Sequence, residues 1–143
     1  MNLDKFKTKA EGMVSQIIPK DDVERRVLAA LSHKSSSASG TALNEIAEDT
    51  FHYDRYNTVM RLIWKALDSP GRNWRSIFKA LALIQHLVVH GAEKVIDEAM
   101  DHLHKIRTLT DFSYYEGHLD RGNGVRDKAK EICDLLRNRD RVR

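Results

Sequence analysis

The 143-residue chain carries 24 Lys and Arg against 21 Asp and Glu, a formal charge of +3 with pI near 9.0, and is 41% hydrophobic and 31% charged. That length suits one domain, large enough to bury roughly two thirds of the surface its unfolded form exposes, and that composition excludes a disordered polymer. No apolar run approaches the ~18 residues of a membrane-spanning helix, and Met1 to Lys9 contains Asp4 and no long apolar stretch before a cleavage site, so no secretory signal and a cytosolic chain are expected.

Apolar residues recur at spacings of three and four almost everywhere, and nothing alternates with period two over a useful length, so helices are predicted throughout with little or no sheet. The first is a basic amphipathic segment. Leu3, Phe6, Ala10, Met13, Val14, Ile17 and Ile18 form its stripe, Lys5, Lys7 and Lys9 accompany it, and Pro19 breaks it. Asp21 or Asp22 is expected to cap the next helix, which buries Val23, Val27, Ala30 and Leu31 and ends near the small polar run Ser35 to Gly40. Ser39 or Thr41 starts a short helix with Leu43, Ile46, Ala47 and Phe51 inward. Asp54 is expected to cap a helix through Leu67 whose inner face is Tyr56, Val59, Met60, Ile63 and Leu67, stopped by Ser69, Pro70 and Gly71.

Asn73 is expected to cap the following helix, Trp74 to His90, which is nearly apolar through Ile77, Leu81, Ile84, Leu87 and Val88 and therefore the spine of the domain. Gly91 is expected to supply a left-handed C-terminal cap. Val95, Ile96, Ala99, Met100 and Leu103 mark a further helix, Ile106 to Phe112 a short one, and Val125, Ala129, Ile132 and Leu136 the last, after a loop from Tyr114 to Asn123. Cys133, beside Ile132, Leu135 and Leu136, reads as helix core, and a lone cysteine makes no internal disulfide. Short-linked helices with faces apolar enough to pack on both neighbours predict an all-α fold, a right-handed superhelical solenoid of helix pairs, although no repeated sequence period marks it.

Charge is distributed unevenly: Met1 to Lys20 carries +2, Arg61 to Lys79 +4 and Arg121 to Arg143 +4, so the remainder is acidic. Basic patches of this kind favour an anionic partner, lipid headgroup or nucleic acid, against the plainer reading of solvated helix faces. Nucleic acid is disfavoured because the basic stretches lack interleaved aromatics and no nucleic-acid motif is present. Convergent catalytic groups are also missing. His86 and His90 lie four apart, but Leu87-Val88-Val89 between them supplies no glutamate for a zinc-protease pattern. His102 and His104 point about 200° apart on a helix, which is poor for shared metal ligation. Gly122-Asn123-Gly124 has neither the preceding strand nor the lysine of a phosphate loop. A binding role without enzyme activity, metal or cofactor is expected.

Glu45-Ile46-Ala47, Ile63-Trp64-Lys65, Gly71-Arg72-Asn73-Trp74-Arg75, Lys79-Ala80, Asp111-Phe112 and Gly124-Val125-Arg126-Asp127-Lys128-Ala129-Lys130 together carry a resemblance to a known family. From Leu43 onward, and without a gap back to about Arg26, the sequence resembles the epsin N-terminal homology (ENTH) domain. This implies about eight helices in a superhelix, residues 21–143, preceded by residues 1–20 as an amphipathic helix that folds into the lipid interface and bends the bilayer. Leu3, Phe6, Met13, Val14 and Ile17 would insert. Burying Leu3, Phe6 and Ile17 contributes on the order of 1.5–3 kcal/mol each, and each well-placed lysine about 1 kcal/mol at an anionic surface.

The resemblance also implies a basic pocket for a phosphoinositide headgroup. Arg72 and Lys79 match basic positions of lipid-binding members; Arg25 or Arg26 substitutes from a neighbouring turn, His33 falls at a polar loop position, and Lys9 adds charge from the N-terminal helix. Three ligand positions hold other residues: Leu28, Ala66 and Ser76. With fewer donors, a monophosphate or weak lipid preference at Golgi or endosomal membranes is expected, ahead of plasma-membrane bisphosphate specificity, with a SNARE as a further partner. Clathrin and adaptor complexes would be reached through a tail outside this sequence. A protein-interaction domain with little phosphoinositide recognition is the alternative.

Overall fold

The structure, a computed structural model, describes residues 20–142; the stripe from Leu3 to Ile18 lies outside them. Seven α-helices follow one another among the described residues: α1 (Lys20–Ala30), α2 (Gly40–Asp49), α3 (Tyr53–Leu67), α4 (Trp74–His90), α5 (Lys94–Asp101), α6 (Leu103–Thr108) and α7 (Asn123–Val142). Single 3-10 turns at Gly71–Asn73 and Leu109–Asp111 lead into α4 and out of α6. The fold is the expected all-α solenoid. Each helix packs on its neighbours, and α4 is the spine: it touches α2, α3, α5 and α7. Ile77, Ala80, Leu81, Ile84 and Leu87 of α4 are closed off from solvent, as an apolar stripe wider than one helix face requires.

Several local details differ from expectation. Asp21 and Asp22 lie within the first turn of α1, where carboxylates complement the helix dipole. Ser39 does cap α2, accepting from the Ala42 amide at 3.1 Å. Asp54 is likewise one turn inside α3, His52 occupying the cap position, and Asn73 makes no side-chain capping bond because the 3-10 turn already feeds into α4. Leu103 begins α6 rather than extending α5. Phe51, expected inward, is 59% exposed, since α2 ends at Asp49 and the turn swings its ring outward.

Gly91 is not left-handed: its φ of −89° and ψ of −172° are extended backbone. Its requirement is spatial, because a Cβ there would stand 2.7 Å from the Leu87 carbonyl oxygen and 2.9 Å from Thr50 Oγ1. That hydroxyl donates to the Ala47 carbonyl (2.6 Å) and accepts from the Ala92 amide (2.9 Å), joining the end of α2 to the turn after α4. Gly91→Ala is expected to cost about 1–3 kcal/mol by overpacking this junction, read as a lower denaturant midpoint.

The expected loop before α7 contains a minimal antiparallel hairpin, β1 (Tyr115–Glu116) and β2 (Leu119–Asp120), turning at Gly117 with φ +61°. Side chains hold it to the helices. Glu116 accepts from Trp74 Nε1 at 2.9 Å, and Asp120 pairs with Arg126 at 2.5 Å while accepting from the Gly122 amide. A long-range partner such as Trp74, 42 positions from Glu116, leaves no periodic trace in the sequence. Cys133 is half-buried against the core, and burial pushes its thiol above the usual range.

Candidate functional site

At one end of the molecule the C-terminal part of α1, the second half of α3 and the start of α4 diverge around a groove of about 740 Å3. Leu28, Ala66 and Ser76, the three positions where donors were missing, come together on its lining. Leu31, Leu62 and Pro70 extend an apolar floor, and Leu28 stands 53% exposed over it. Arg61 and Lys65 supply its positive edge. They are four apart on α3 and therefore share a helix face. Arg61 is tethered to Glu24 of α1 at 3.0 Å across the groove, whereas Lys65 is exposed and makes no ion pair among the described residues. Neither residue was singled out from the sequence; the signal available was the +4 stretch that contains both.

The residues singled out beforehand are dispersed by the fold. Arg72 lies exposed on the 3-10 turn that leads into α4, with no ion pair among the described residues. Lys79 is enclosed differently: its Nζ donates to the carbonyls of Ser32 (2.7 Å), Lys34 (2.8 Å) and Ser36 (2.6 Å). An ammonium has three donors, so the set is full and Lys79 clamps the loop after α1 onto α4. Burial, reinforced by Arg75, holds its pKa below the usual lysine range.

Arg25 pairs with Asp22 at 2.5 Å on the outer face of α1. Arg26 faces α2, 3.3 Å from Asp49 and 3.9 Å from Glu45. His33 meets the Trp74 ring edge-on at 6.0 Å between centroids. Arg75 and Arg121 lie over the same indole, at 4.6 and 5.3 Å. Lys9, Leu3, Phe6, Met13, Val14 and Ile17 fall outside the described residues.

The groove therefore has an apolar floor with Arg61 and Lys65 at its edge beside Glu24 and Asp68, while Arg72 on the turn into α4 and the two guanidiniums on Trp74 lie off its lining. The cations Lys65 and Arg72 can attract an anion electrostatically, but the groove offers few convergent hydrogen bonds. Elsewhere, His86 and His90 are ordinary packing groups: His86 shares a 3.0 Å hydrogen bond with Asn44 of α2, its ring lies 4.6 Å from that of His90, and burial lowers its pKa. No group of three potential metal ligands occurs among the described residues, and none of their helices is long and apolar enough to cross a membrane.

A profile described as ENTH domain matches residues 20–142. Among proteins of similar sequence, the epsin of Dictyostelium discoideum is 37% identical over 122 residues, which is 85% of this chain and 18% of that protein. The Arabidopsis thaliana clathrin interactor EPSIN 2 is 37% identical over 121 residues, 84% of this chain and 14% of that protein. The chain thus spans less than a fifth of the length of either relative. Among solved structures, the human epsinR ENTH domain superposes with a TM-score of 0.79 at 30% identity, covering 83% of this chain and 89% of that one. The epsin-2 ENTH domain in complex with phosphatidylinositol 4,5-bisphosphate gives 0.80 at 28% identity, covering 83% and 84%.

Proposed function

Since the chain belongs to the ENTH domain family, we propose that it is a phosphoinositide-binding membrane adaptor domain of clathrin-associated vesicle traffic, not an enzyme. The observation that carries this reading is the pair Arg61 and Lys65 on the lining of the groove that α1, α3 and α4 open, with exposed Arg72 on the turn that leads from this end of the molecule into α4. The epsin-2 domain bound to its bisphosphate lipid has the same fold, and the helical tubules of ANTH and ENTH domains on membranes containing that lipid, a further structural neighbour, agree with an interfacial role. In this reading residues 1–20 insert through Leu3, Phe6, Met13, Val14 and Ile17, residues 21–143 form the helical domain, and Arg72 with Lys65 and Arg61 attracts the headgroup. The domain works peripherally at Golgi, endosomal or plasma membrane. Clathrin and adaptor contacts belong to parts of the protein outside this chain.

A leucine at position 28, an alanine at 66 and a fully engaged Lys79 reduce the donor set, which favours a monophosphate or a weak preference over a bisphosphate. The same observation supports the second reading, a protein-binding domain, for instance towards a SNARE, with little lipid recognition. Co-sedimentation with liposomes carrying single phosphoinositides separates the two. Lys65→Glu/Arg72→Glu is expected to weaken salt-sensitive binding by about tenfold or more with melting unchanged, since both residues are surface cations. Phe6→Glu is expected to weaken it through the lost insertion. Equal binding by the wild type and the double mutant moves the anion site elsewhere; no binding by the wild type leaves the protein-binding reading.

A further inference from the structure

Phe51 and Tyr53, 59% and 89% exposed, stand at the opposite end of α3 from the anion groove. They flank a depression of about 250 Å3 completed by Tyr56, Asn57, Ala92 and Lys94. We propose that this depression docks an extended peptide bearing one bulky apolar side chain with one carboxylate close to it.

Size limits the occupant. A depression of about 250 Å3 takes a single large side chain, whereas a helix, about 10–12 Å across, needs a long groove. The polar chemistry of its walls narrows the choice further. Thr50 is satisfied by Ala47 and Ala92, and the Tyr56 hydroxyl donates to Glu98 at 3.1 Å. What remains is the exposed Asn57 amide, which has no hydrogen-bond partner among the described residues, and the ammonium of Lys94, 4.6 Å over the Tyr56 ring. An amide that both donates and accepts suits a peptide backbone, and Lys94 is the one charged residue on the lining. Charge complementarity thus selects a carboxylate. Exposed Asp54 and Glu93 nearby in the chain oppose a longer acidic run.

The site is also preformed, because the Thr50–Ala92 and Tyr56–Glu98 bonds fix its two sides before any partner arrives, which lowers the ordering cost of binding. Tyr53 and Ala66 are separated by about 20 Å along α3, so the depression and the groove at the other end are distinct surfaces. It stands independently of the lipid reading.

The test is a titration of the 15N-labelled chain with the capped pentapeptide Ala-Phe-Ala-Asp-Ala and its counterpart with lysine for aspartate, followed by amide shifts. Expected are saturating shifts at Thr50, Phe51, Ala92 and the Asn57 side chain, with the aspartate peptide about fivefold or more tighter than the lysine peptide. Lys94→Glu should reverse that preference, and Asn57→Ala should weaken both peptides, with melting and liposome binding unchanged. Absence of saturating shifts at these residues, equal affinity for the two peptides, or shifts centred on Leu28 and Ala66 instead overturns the proposal. So does self-association of the chain that is lost in Phe51→Ser, which assigns the depression to a second copy, or loss of liposome binding in Lys94→Glu, which assigns it to the membrane.

Discussion

Asp49→Ala is expected to destabilise the domain by about 3–5 kcal/mol, the usual cost of breaking a buried ion pair by removing one partner, and to lower the melting temperature by roughly 10 °C or more. Asp49 is 1% exposed at the end of α2, with Arg26 of α1 at 3.3 Å and Arg55 of α3, itself 4% exposed, at 3.6 Å. One carboxylate therefore joins three helices. Burial pushes its pKa up more strongly than Arg26 and Arg55 pull it down, so the ionised pair is not a large net gain in stability. Its removal is costly for a different reason: it strips an interior guanidinium of a counter-charge already desolvated around it. Asp49→Asn, which keeps shape and hydrogen-bonding capacity but not charge, should fall between wild type and alanine in a thermal melt. Equal melting of all three proteins would show that water reaches the cluster and screens it.

Lys79→Met is expected to cost about 2–4 kcal/mol, because three charge-assisted hydrogen bonds to carbonyls disappear while the aliphatic stem is kept. Its local signature is faster amide exchange across Ser32–Ser36 than in the rest of the domain. A cation already enclosed by three carbonyls has no donor left for a headgroup, so any drop in liposome binding should track the loosened loop and not exceed that of Lys65→Glu/Arg72→Glu. A Lys79→Met protein with unchanged melting and abolished phosphoinositide binding would instead make Lys79 an anion ligand that leaves its carbonyls when lipid arrives.

Legibility from the sequence differed by element. α4 could be bounded end to end, Trp74 to His90, because its apolar run is long and stands between Pro70-Gly71 and Gly91. The inner face of α3 was equally clear, with Tyr56, Val59, Met60, Ile63 and Leu67 all buried. The hairpin at 115–120 was not, since two-residue strands carry no measurable alternation and Glu116 is held by Trp74, 42 positions away, even though Asp120 finds Arg126 only six residues on. In the anion groove the sequence pointed to Lys79 and passed over Lys65, although both belong to the same basic stretch.

By itself, the sequence determined the helical class, the core and the family, because a 3.6-residue apolar period and local blocks such as Asn73-Trp74-Arg75 are properties of short segments. Only the tertiary structure decided which cations are free and which are consumed, and which aromatic residues stay outside. Lys79 and Lys65 differ not in local sequence but in whether the loop after α1 folds its carbonyls over them, and Phe51 faces solvent because α2 stops two residues before it. The clamp on Lys79 depends on contacts between residues more than forty positions apart, and the periodicity of a single helix contains no information about it.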